Sequence, residues 1–123
     1  MKIYLAGPMR NIPNFNFPAF DYAAAKLRDE GHEVFSPADH DRQQNGDEIG
    51  NNPTGDESEA TKTFGFSLRR ALAADTAYIC RQADAIALLP GWEKSSGASA
   101  EYALARCLGL TIIILGKEYT HVA

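Results

Sequence analysis

Two carboxylates stand where folding alone does not ask for them. Asp75 lies three residues after Leu72 and four before Ile79, so it shares the apolar face those residues define on a predicted helix. An unpaired buried carboxylate is costly and tends to take up a proton. Asp75 is therefore an edge residue of the stripe, the partner of an arginine such as Arg10, or a functional acid. Glu101 follows Gly97-Ala98-Ser99-Ala100 in the first turn of another predicted helix. An acid there favours the helix dipole and can be purely structural. The small Gly97, Ala98 and Ser99 equally let a ligand approach the helix N-terminus, a natural anion site to which Ser95 and Ser96 add hydroxyls. The turn Gly7-Pro8-Met9-Arg10-Asn11 is neither a G-x-G-x-x-G fingerprint nor a P-loop. In it Arg10 is either an ordinary surface residue or an anion contact. Trp92 caps the core or stacks on a base. His32 reads as a surface residue, His40 as a weak candidate near the ligand crevice, and His121 joins no cluster. No metal set and no Ser-His-Asp arrangement is recognisable, and no cofactor is implied.

These residues need a scaffold. Ile3 to Ala6 reads as a buried strand closed by Gly7-Pro8. Phe17, Phe20, Ala24 and Leu27 recur at helical spacing, with Asn16 as a cap, Pro18 in the first turn and Gly31 as the stop. Glu33 to Ser36 is a second strand, Leu68, Leu72 and Ile79 mark a second helix, and Ala85 to Leu89 is a third strand. Ala98 to Leu108 is a third helix, and Thr111 to Leu115 a fourth strand. Apolar strands alternating with helices predict an α/β domain: a small doubly wound parallel sheet of about four to five strands, covered on both faces. Ligands bind such sheets at the C-terminal ends of the strands, here Gly7–Asn11, Ser36–Asp41 and Pro90–Gly97.

Composition agrees with a single domain over residues 1–123, 45% apolar and 23% charged. At 123 residues it needs no disulfide or metal staple. No apolar run reaches the ~18 residues of a membrane span, and the N-terminus does not read as a signal peptide. Cys80 and Cys107 lack metal-ligand spacing and read as reduced core or near-core thiols of a cytoplasmic protein. The formal charge of −4 argues against polymeric nucleic acid as the main partner. That charge is uneven. Residues 39–59 hold seven acids and one base, a net of −6, and the rest nets +2. The segment from about 38 to 63, polar and without apolar periodicity, is expected to be a long mobile loop, either a lid or plain disorder.

Taken together, the motifs resemble the nucleoside 2-deoxyribosyltransferase superfamily, and within it short phage and bacterial proteins of unassigned function. Ile3-Tyr4-Leu5-Ala6-Gly7-Pro8-Met9-Arg10 is similar to that superfamily's tyrosine-bearing strand and Gly-containing turn. Gly97-Ala98-Ser99-Ala100-Glu101-Tyr102-Ala103-Leu104-Ala105 is similar to its G-x-G-x-E-x-G-x-A helix start, with Ser99 and Ala103 where glycine is common. Asp75 occupies the position of its upstream aspartate. The resemblance implies that Glu101 is a nucleophile toward C1′, that Asp75 protonates the leaving base or orients the nucleophile, and that Tyr4 holds the nucleophile's carboxylate. Ser95 matches the serine of the related deoxynucleoside 5′-monophosphate N-glycosidases, where the transferases carry aspartate. Gly7, Arg10, Ser95, Gly97 and Ser99 are thus the expected substrate contacts. The implied function is an N-glycosidase acting on a (2′-deoxy)nucleoside 5′-monophosphate. Its alternatives are a deoxyribosyltransferase and a non-catalytic nucleotide-binding protein. The resemblance also implies a homodimer or higher homo-oligomer.

Overall fold

The computed structural model describes residues 1–120. Four strands, β1 (Lys2–Ala6), β2 (Glu33–Phe35), β3 (Ala85–Leu88) and β4 (Thr111–Ile114), form one parallel sheet in the order β2-β1-β3-β4. Five helices join them: α1 (Phe17–Asp29), α2 (Pro37–Asn45), α3 (Glu57–Phe64), α4 (Leu68–Arg81) and α5 (Ser96–Leu108). This is a small doubly wound α/β fold of the Rossmann/flavodoxin-like kind.

The alternation of a strand decides which helix each residue meets. Ile3 and Leu5 of β1 point to one face and pack with Phe17, Phe20 and Leu27 of α1. Tyr4 and Ala6 point to the other and pack with Ile79 of α4 and with Ala98 and Ala105 of α5. Chain connections leave β1 toward β2 on one side and reach β3 on the other, so the strand order reverses between β1 and β3. A crevice opens at such a switch point, beyond the C-terminal ends of the strands. Gly7 lies at this point because a Cβ there would meet the Leu89 Cβ at 2.8 Å.

The acidic segment departs from the expectation of a mobile loop. It folds as α2, a short 3-10 turn (Asp47–Gly50) and α3, and Ala38, Ile49 and Ala60 join the core beside α1. Its polar residues hold it by hydrogen bonds that leave no apolar period to read. The Asn52 Oδ1 accepts from the backbone of Thr54, Gly55 and Asp56, and the Asn52 side-chain amide donates to the Asp56 carbonyl. Asn14 and Asn52 then join the segment to the strained stretch Asn14–Asn16, where φ is positive at all three residues. Gly55, at φ +71, rests on the Ile12 backbone with no space for a Cβ. Ion pairs tie the segment to α1 in both senses: its acid Asp39 meets Arg28 at 2.9 Å, and its base Arg42 meets Asp21 at 2.7 Å. Replacing the buried Asn52 by alanine is expected to lower unfolding free energy by about 2 kcal/mol. Urea denaturation of Asn52→Ala against wild type measures this.

Smaller expectations also change. Asn16 stands at the N-cap of α1 but makes no side-chain cap; its amide donates to the Pro8 carbonyl at 3.0 Å instead. Cys80 and Cys107 are exposed, since they flank the buried Ile79 and Ala105 on the outward sides of their helices. The edge strand β4 is only half covered, and Ile114 is exposed.

Candidate active site

Tyr4 leads into the site. It is fully buried, and its hydroxyl donates to the Glu101 Oε2 at 2.7 Å. The ring of Phe35 stacks on it at 5.6 Å and fixes its direction. Glu101 is set by α5. The Ser95 hydroxyl caps that helix by accepting from the Ala98 N–H at 3.2 Å, so the helix starts two residues earlier than its apolar pattern suggests. Glu101 consequently falls in the second turn, on the buried face with Ala98 and Ala105, and not in the first turn beside the free N–H groups. The dipole reading of Glu101 loses force. Asp75 is set by α4, on the same inward stripe as Ile79. No arginine pairs with it among the described residues: Arg10 instead meets Glu57 at 2.9 Å. The Asp75 Oδ1 is buried and has no partner among the described residues.

Glu101 and Asp75, 5% and 6% exposed, thus share one site with Tyr4. Burial pushes both carboxyls up from the usual carboxylate range; the charge of Asp75 pushes Glu101 further up, and the Tyr4 hydroxyl draws both down. Near neutral pH the pair therefore holds a proton that an exposed pair would release. Burial, with the two carboxylates adding to it, pushes the Tyr4 phenol well above its ordinary value, so it remains a donor.

All three line a cavity of about 570 Å³, together with Gly7, Arg10, Ser95 and Gly97. Its volume suits a nucleotide-sized ligand. Ser99 does not line it: its hydroxyl donates to the carbonyls of Trp92 and Glu93, tying the preceding turn to α5. Trp92 packs on Tyr102 at 4.5 Å and covers core, and so is no base platform here. His40 lies against Phe35 and borders a smaller neighbouring cavity. His32 is half-buried, with its Nδ1 3.3 Å from the N-terminal amine. His121 lies outside the described residues. No cluster able to hold a metal ion occurs among the described residues.

A further carboxylate faces the cavity. Asp41 of α2 is 7% exposed. Burial, and next the charge of Asp75, push its carboxyl up to about 7. It sits at the end of the strand-terminal segment Ser36–Asp41, but polar neighbours on both sides give it no sequence pattern of its own.

A family model described as "Domain of unknown function (DUF4406)" matches residues 1–114. The chain belongs to the DUF4406 family. Neither a curated protein nor a solved structure matches it. The DUF4406 match takes in all four strands and every residue placed above in the cavity.

For the catalytic role proposed below, Tyr4→Phe is expected to lower turnover by about 10- to 100-fold, the value of one hydrogen bond to a charged group. The substitution keeps the ring packing but leaves the buried Glu101 carboxyl without its donor, so the Tm should fall by a few degrees. Rate and thermal melt measured on the same sample check both halves.

Proposed function

We propose that this protein is an N-glycosidase cleaving the base–sugar bond of a (2′-deoxy)nucleoside 5′-monophosphate through a covalent glycosyl-Glu101 intermediate. The observation that carries the reading is the Tyr4–Glu101 hydrogen bond beside Asp75 in a cavity at the strand switch point. Binding alone requires no buried carboxyl pair sharing a proton, and two such groups cost stability. The resemblance of the β1 turn and the α5 start to the nucleoside 2-deoxyribosyltransferase superfamily points the same way.

The chemistry follows from the groups present. The Glu101 carboxylate attacks C1′, and the C1′–N bond breaks with its electron pair passing to the base. Asp75 delivers the pair's proton to the base. Positive charge building at C1′ and the Tyr4 hydroxyl both favour the ionised form of Glu101 at that moment. Water then attacks C1′ of the ester, gives its proton to Asp75 and regenerates the Glu101 carboxylate.

A 5′-phosphate suits the neighbouring α5 N-terminus. Ser95, Ser96 and Gly97 line the cavity there, with Lys94 and Arg10 beside them. Arg10 would exchange its ion pair with Glu57 for the phosphate. A homodimer or higher homo-oligomer in the cytoplasm is part of the same proposal, supported by the resemblance. Light scattering tests the assembly.

The deciding experiment is release of free base from deoxynucleoside and ribonucleoside 5′-monophosphates, with and without an added acceptor base. Release into water supports hydrolysis. A new nucleotide formed only with the acceptor would make the protein a deoxyribosyltransferase working through the same residues. Tight binding without release of any base would overturn both.

A further inference from the structure

We propose that Asp41 selects the base, pairing its carboxyl with an amidine edge: an amino group beside an unprotonated ring nitrogen, as in 4-aminopyrimidines and 6-aminopurines. The inference rests on the nucleotide reading above and names the part of the ligand that reading leaves open.

Asp41 is more than nine-tenths buried and lines the same cavity as Tyr4, Asp75 and Glu101. Its burial and the charge of Asp75 account for the state of its carboxyl, and no hydrogen bond to a described residue contributes. In the same cavity the buried Oδ1 of Asp75 has no partner among the described residues, which marks this as a place where a polar ligand completes the bonding. The lining around Asp41 is apolar on the side of the main cavity, where Pro37, Phe66 and Ala71 stand, and polar on the side of the smaller one, which His40, Gln44, Asn45 and Arg70 border. Pro37 lies one turn earlier on α2, and Phe66 borders Asp41 in both the main and the smaller cavity. A flat base fits against the apolar residues of the main cavity, and the Asp41 carboxyl is a polar group there that can meet its edge.

The choice of edge follows from the proton. A carboxyl half-ionised near pH 7 presents either an O–H with a carbonyl oxygen, or two acceptors. An amidine pairs twice with the acid form, and its protonated form pairs twice with the carboxylate. A lactam edge, N–H beside C=O, pairs twice only with the acid and opposes its carbonyl to the carboxylate.

Matched nucleotides separate these cases. Affinities of Glu101→Gln protein, which retains substrate, are measured by calorimetry for dCMP against dUMP and for dAMP against dIMP. At least one aminated member is expected to bind about tenfold or more tighter than its lactam partner. Adding Asp41→Leu should shrink that ratio below about threefold. Adding Asp41→Asn, nearly isosteric and able to pair with either edge, should shrink it as well while keeping affinity. A ratio unchanged by both substitutions, or no preference in either pair, overturns the inference. Preference lost with Asp41, in a protein whose wild type releases no base, overturns the glycosidase reading alone. Absence of binding by all four overturns both.

Discussion

Glu101→Gln should lower base release by at least about 10⁴-fold and leave nucleotide affinity within a few-fold of wild type. The amide keeps the shape of the side chain and can still accept the Tyr4 hydrogen bond, which in the native protein spans 2.7 Å. It cannot form the ester at C1′, so the loss falls on kcat. Were Glu101 only a ligand contact, the substitution would raise KM with kcat little changed, because a group that binds ground and transition states alike gives no rate. Rapid-quench kinetics with mass spectrometry of the wild-type protein adds a direct sign: a sugar phosphate adduct on the peptide carrying Glu101, absent from the variant. A kcat loss of less than about tenfold would sink the nucleophile assignment.

How much of this can be read in the chain depends on which residues carry period and which carry partners. The strands and α1, α4 and α5 announce themselves through apolar spacing, because each buries one face against the sheet. Asp75 stands out for the same reason, as a charge within an apolar stripe. Glu101 is visible through the small residues before it, although its place in the second turn depends on the Ser95 cap and not on any apolar signal. Helices α2 and α3 carry no such period. What holds them is one asparagine with several backbone partners, together with ion pairs to Arg10 and Arg28 outside the segment. Such partners are distant in sequence and emerge only with the fold. Asp41 is hidden by the same circumstance, one acid among seven in residues 39–59 until α2 turns it inward.

Asp75→Asn is expected to make the protein more stable and less active, with the stability gain confined to neutral and alkaline pH. The sign follows from linkage. Burial raises the Asp75 carboxyl in the folded chain from its ordinary 3.8 to about 7. Between those values the folded state keeps a proton that the unfolded chain has released, so stability falls as pH rises through the window. Below about pH 4 the group is protonated in both states and costs nothing by this route. Above about pH 7 the folded protein must bear the buried charge, beside Glu101, which burial also raises. The amide of the Asp75→Asn variant has no proton to lose. Unfolding free energy of the variant, measured in urea, should match wild type near pH 4 and exceed it by on the order of 2 kcal/mol at pH 8. An equal difference at both values would mean that packing, not charge, separates the two proteins. Base release should fall by about 10²- to 10³-fold, since an amide can donate a hydrogen bond but cannot deliver a proton. Opposite changes in stability and rate from one substitution are expected only where the fold sustains a buried acid for its chemistry, because a purely structural Asp75 would give no loss of rate beyond that of folding.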